Sequence, residues 1–151
     1  MDKREAVLLD RMLPLLFLAL YLFGASTAVP AADMSDHDAV AIRAVIAEQL
    51  DAFARDDAPR AFALATTGIQ AQFGTPERFI NMVRSAYPVV YRPRDVQFQK
   101  PQTIDGETIQ PVRMTDSEGR GWIALYPMQR QADGVWRING CQLARSSELA
   151  T

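Results

Sequence analysis

From Val89 onward the chain is divided into short β-like runs by turn signals, and this half decides the fold. The sharpest signal is Asp105-Gly106 in "TIDGET", the dipeptide that closes a two-residue hairpin. "TDSEGRG" and "RQADGVW" follow as further turns. Together they separate runs at about 92–104, 107–116, 120–131 and 135–145, which reads as an antiparallel meander.

The preceding half has helical spacing. In "SDHDAVAIRAVIAEQLDAFARDD", Ser35 is the expected N-cap, with Asp36 and Asp38 in the first turn. Ile42, Val45, Ile46, Gln49, Leu50 and Phe53 form one stripe. Asp57-Ala58-Pro59 stops that helix and starts a short second one, "PRAFALA", while "TGIQAQFG" reads as a connection. "TPERFINMVRSAY" restarts a helix, capped by Thr75 and ended before Pro88. Helices followed by a meander predict an α+β domain in which N-terminal helices cover one face of a curved antiparallel sheet.

The first 31 residues read differently. A charged stretch, "MDKREAVLLDR", precedes the apolar run "MLPLLFLALYLFGA" and the small residues "STAVPAAD". This is the order of a cleaved secretory signal, with Ser26-Thr27-Ala28 or Val29-Pro30-Ala31 as the small-residue cleavage motif. The expectation is a signal peptide over 1–31, a single domain over 32–151, and a periplasmic or secreted location. An uncleaved inner-membrane anchor facing the periplasm is the alternative, although the run falls short of the ~20 residues a span needs.

The chain carries 16 Lys and Arg against 18 Asp and Glu, a net charge of −2, which leaves no basic footprint for nucleic acid. The only histidine, His37, and the only cysteine, Cys141, lie far apart in sequence. That excludes a metal-ligand cluster of ordinary spacing and makes a Cys–His catalytic pair improbable, so no metal or cofactor is expected. No phosphate loop, dinucleotide fingerprint or nucleophile elbow occurs.

Carrying strand alternation through two-residue turns assigns the faces. Gln97 then lies near Met114, and Gln99 near Val112. One face gathers Gln97, Gln99, Trp122, Tyr126, Met128 and Trp136, the candidate lining of a pocket for a small apolar or amphipathic ligand. Gly140 permits a bulge that returns Cys141 and Leu143 to this face as core residues. The opposite face carries Val96, Phe98, Ile123 and Leu125, an apolar patch that would serve a homodimer.

Three stretches, "IRAVIAEQLDAFARDDAPRAFALAT", "FGTPERFINMVRSAYPVVYRPRDVQFQ" and "DGVWRINGCQL", resemble the bacterial domain of unknown function 4864. The arrangement is also similar to the nuclear-transport-factor-2-like, or SnoaL-like, superfamily. That resemblance implies a cystatin-like conical roll with a pocket, and dimerisation through the outer sheet surface. It implies no particular activity, because the superfamily includes isomerases, cyclases, dehydratases and non-enzymatic modules.

Isomerase- or dehydratase-like acid–base chemistry would need a carboxylate base and a hydroxyl donor in an apolar cavity. Tyr87, Tyr91 and Tyr126 supply hydroxyls, whereas Asp51 and Asp95 are poorly placed as bases. Arg92 and Arg94, flanking Pro93, are arginines for a pocket rim or for pairing with nearby carboxylates. The residues favour a non-catalytic ligand-binding or assembly module, with the acid–base enzyme as the alternative.

Overall fold

The computed structural model describes residues 34–146; the expected signal segment 1–31 lies outside them. Among the described residues no helix is long and apolar enough to cross a membrane.

Helix α1, Asp36–Ala54, begins as its sequence dictates: Ser35 Oγ accepts from the Asp38 amide at 3.1 Å. Its stripe of Ile42, Ile46, Gln49, Leu50 and Phe53 is buried. The chain reverses at Asp56, which takes a left-handed φ of 57°. Asp57 then caps α2, Ala58–Ala63, accepting from the Arg60 amide at 3.0 Å. Gln49 Nε2 joins the two helices by donating to Ala61 O at 3.0 Å.

The stretch expected as a connection is a helix, α3, Thr67–Phe73. Thr66 caps it, and Gln70 Nε2 donates back to Phe62 O and Ala65 O, at 3.2 and 2.9 Å. Gly74, at φ 76°, ends it. Gly68, a poor helix former in the first turn, hides this helix from propensity. Helix α4, Pro76–Ala86, buries Phe79, Ile80 and Val83, and the single turn α5, Pro88–Tyr91, follows it.

The sheet is built on β3, Glu107–Thr115, and β4, Gly121–Arg130. Asp105 and Gly106, with φ of 51° and 81°, form the predicted tight hairpin, so β2, Gln102–Ile104, pairs Ile104 with Glu107. β1, Asp95–Phe98, continues along the same edge of β3. On the far edge of β4 lie β5, Trp136–Ile138, and β6, Gln142–Arg145. The result is a four-track meander whose two outer tracks are each interrupted.

Both interruptions are one-residue bulges. On one side Asn139, Gly140 and Cys141 stand opposite Tyr126 and Pro127, and Gly140 has φ 144°. This is the bulge expected there, and it returns Cys141 and Leu143 to the inner face, in contact with the core.

On the other side Gln99, Lys100 and Pro101 stand opposite Gln110 and Pro111. This second bulge overturns the expected faces of β1. Val96 pairs with Met114, and Phe98 with Val112, so both face the helices and pack on the core. Gln97 pairs with Arg113 on the outer face and is exposed, as is Gln99. The expected outer patch therefore loses Val96 and Phe98, while Ile123 and Leu125 remain on the outer face. A proline inside a strand is a physical marker of such a bulge, because it cannot donate to the ladder.

Bulges bend a strand and raise its twist, and this sheet curls around the helices. The core joins Ile42, Ile46 and Phe53 of α1 with Phe79 and Val83 of α4, and Val112, Met114, Ala124 and Tyr126 of the sheet. The chain is thus an α+β domain whose helices pack against a curled antiparallel sheet.

Candidate functional site: a cavity between the helices and the curled sheet

Where the inner sheet face meets the helices, packing leaves a cavity of about 350 Å³. Its helical wall comes from Gln49 and Phe53 of α1, Ile69, Gln72 and Phe73 of α3, and Phe79, Met82 and Val83 of α4. Phe79 anchors this wall, with ring centroids 6.1 Å from Phe53, 5.6 Å from Phe62 and 5.5 Å from Phe73. The last contact is edge-on, a favoured geometry for aromatic pairs.

The sheet wall is Tyr126, Ile138, Gly140 and Cys141. The chain before α3 is fastened to this wall by backbone bonds. The Thr66 amide donates to Ile138 O at 2.9 Å, and the Ile138 amide to Leu64 O at 3.0 Å. Thr66 Oγ1 also donates to Asn139 Oδ1 at 2.9 Å, within the Gly140 bulge.

None of the described residues lining the cavity is charged. Its polar side chains are the amides of Gln49 and Gln72, the hydroxyls of Tyr87 and Tyr126, and the Cys141 thiol. Tyr126 is 1% exposed, and its hydroxyl has no hydrogen-bond partner among the described residues. Burial holds its phenol far above the usual range, with the Cys141 thiol beside it on the neighbouring track. The same desolvation pushes the Cys141 thiol up to about 12, and the adjacent Tyr126 hydroxyl offsets this in part. Cys141 was expected in the core; it is half-buried at the cavity wall and carries its proton at neutral pH. His37 is exposed at the start of α1, so no imidazole assists the thiol.

Of the six residues expected to line a pocket, only Tyr126 lines this cavity. Trp122, Met128 and Trp136 share its inner sheet face but not its position. Trp122 Nε1 donates to Asp116 at 2.9 Å, with the Arg145 guanidinium 4.4 Å above its ring. Trp136 Nε1 donates to Asp38 at 3.0 Å, tying β5 to the first turn of α1. Gln97 donates to Asp95 on the surface, and Gln99 lies in the bulge. Strand alternation reports only the sheet wall, and the helical wall carries no such period. Gln49, one amide in an otherwise apolar stripe, was the available signal.

The groups considered for acid–base chemistry are dispersed. Tyr87 lines the cavity, but Tyr91 donates its hydroxyl to Asp56. Asp51 is exposed and paired with Arg55 at 2.7 Å, and Asp95 is exposed on β1. Arg92 is engaged with Asp56 at 3.2 Å and lies over the Tyr91 ring, while the Arg94 amide donates to Thr115 O.

The family model described as domain of unknown function, DUF4864, matches residues 35–151. The chain belongs to the DUF4864 family. The match covers every helix and strand described above. No curated protein and no solved structure matches the chain.

Proposed function

We propose that this DUF4864 protein is a non-catalytic binding module of the bacterial envelope that holds a small, mainly apolar ligand in the cavity beneath α3 and α4. The observation that carries this reading is the unpartnered Tyr126 hydroxyl at the wall of an apolar space of about 350 Å³. That volume lies at the lower end of the range of small-molecule sites. A buried hydroxyl without a partner costs free energy, and a ligand would recover it. A non-catalytic role is favoured over isomerase- or dehydratase-like chemistry because no carboxylate lies among the described lining residues to act as base.

Helices over a curled sheet with an internal cavity support placement in the nuclear-transport-factor-2-like group of conical rolls. The signal-like residues 1–31 support export, with a new N-terminus between Val29 and Asp33 in protein recovered from the periplasm. The outer sheet face, with Ile123 and Leu125, supports a homodimer that Leu125→Glu would weaken in sedimentation.

The test is native mass spectrometry of protein purified from the envelope, followed by displacement of any bound mass. Val83→Trp, which fills the cavity, should abolish that mass while retaining the helical signal. Protein that carries no bound mass, and gains no thermal stability from any apolar probe, would refute the binding reading.

A further inference from the structure

We infer that the cavity selects a neutral, largely apolar molecule bearing one oxygen acceptor, a carbonyl or an ether, which takes the hydrogen bond of the Tyr126 hydroxyl. The inference rests on the ligand-binding reading above and adds the chemistry of the ligand to it.

The protein itself leaves this hydroxyl unmatched. Tyr126 stands on β4 opposite Gln110 of β3. Two bonds from Gln110 Nε2, to Gln99 O at 2.7 Å and Pro111 O at 2.8 Å, hold that side chain at the bulge, and its oxygen makes no hydrogen bond to the Tyr126 hydroxyl. On the other side lies Cys141, whose sulfur is a weak acceptor. Gln49 is oriented by its Nε2 bond to Ala61 O, and its oxygen also makes no bond to the Tyr126 hydroxyl. Tyr126 thus lines the cavity with a hydroxyl proton that no acceptor among the described residues takes up. A hydroxyl desolvated to this degree is a preformed recognition point for an acceptor oxygen.

The absence of charge among the described lining residues sets the second half of the specificity. A carboxylate or sulfonate entering here would give up its hydration with no Arg, Lys or His to replace it. An ammonium would meet no carboxylate. Phe53, Phe73 and Phe79 instead present aromatic surface, which suits a flat or ring-containing body. The volume accommodates a small ring system and excludes a long lipid chain as a fully enclosed guest.

Three probes of nearly one shape separate these contributions: acetylnaphthalene, isopropylnaphthalene and naphthoate. They are a neutral ketone, its hydrocarbon isostere and its anionic isostere. Affinity is measured on the full purified chain by calorimetry, with protection of Cys141 from a small alkylating reagent reporting occupancy of the cavity. The ketone should bind about tenfold or more tighter than the hydrocarbon. Naphthoate should bind most weakly. Tyr126→Phe should remove the ketone's advantage and leave the hydrocarbon's affinity unchanged, which a general structural defect would not do. Equal affinity for ketone and hydrocarbon, or tightest binding of naphthoate, overturns the inference while the cavity remains a binding site. If no probe binds and Cys141 is never protected, the binding reading itself fails.

Discussion

Alkylation of Cys141 tests the dryness of the cavity wall quantitatively. A free thiol ionises near about pH 8.5, whereas desolvation pushes Cys141 up to about 12. At about pH 8 the reactive thiolate is then scarcer by a factor of about 10³. A more basic thiolate is also intrinsically more nucleophilic, with a Brønsted slope of about 0.4–0.5, which restores a factor of roughly thirty. The native protein should therefore react with iodoacetamide about a hundredfold more slowly than the urea-unfolded chain, before steric shielding is counted. Its rate should also climb close to tenfold per pH unit between about pH 8 and pH 10, where an ordinary thiol levels off above about pH 9. The assay is stopped-time labelling read by intact mass, since the chain has one cysteine and gives one adduct. A native rate within tenfold of the unfolded one, or a plateau near pH 9, would refute the reasoning. Either result would mean that Cys141 ionises as an ordinary thiol and that the cavity wall around it is not dry.

Tyr126→Phe deletes a buried hydroxyl that has no partner, so the ligand-free protein should gain about 1 kcal/mol and a few degrees in Tm. A loss of stability on calorimetry would show that the hydroxyl is bonded after all. Gln110→Leu should cost about 1–3 kcal/mol in urea unfolding, because it strips two bonds that hold the Gln99–Pro101 bulge. A neutral outcome would mean that water replaces the amide there. Asp38 and Asp116 are both held below the usual carboxylate range, chiefly by the indole N–H of Trp136 and Trp122. Their folded pKa values are depressed, so their contribution is complete above about pH 3.9 and is lost only as pH falls through the folded values. The chain's two tryptophans should therefore keep constant emission down to about pH 4 and change below it. A transition near pH 5 would contradict this.

The helical stripe of α1, the caps at Ser35 and Thr75, and the Asp105-Gly106 hairpin were all legible because each is a local matter of side-chain period or φ. Gly140 was legible for the same reason. The Gln99–Pro101 bulge was not read, although Pro101 marked it, and that single residue inverted the assignment of Val96, Gln97, Phe98 and Gln99. Helix α3 escaped because its stability is tertiary: Gln70 reaches back to Phe62 O and Ala65 O, and Phe73 packs on Phe79. No local propensity reports such contacts. Of the expected pocket residues, Trp122, Met128 and Trp136 lie on the cavity's sheet face but away from it along the strands, while Gln97 is on the outer face and Gln99 in the bulge. The cavity's position depends on which helix crosses which strand, and alternation within the sheet carries no information about that crossing.

The two bulges lie at the same level of the sheet, one on each side of the Gln110–Tyr126 cross-strand pair. On the β3 side the bulge takes up the Gln110 Nε2 donor, which satisfies the Gln99 carbonyl. On the β4 side the bulge sets Cys141, a weak acceptor, beside Tyr126, where the β5 register continued without it would set Gly140. The distortions that bend the sheet around the helices thus also set the neighbours of the Tyr126 hydroxyl, which is left without a partner among the described residues. Curvature and the surroundings of this donor are set by the same two backbone irregularities. A glycine at 140 is what permits one of them, since its φ of 144° is open to few other residues. Restoring regular pairing there would flatten the sheet and displace Cys141 from the cavity wall, so the site and the curl stand or fall together.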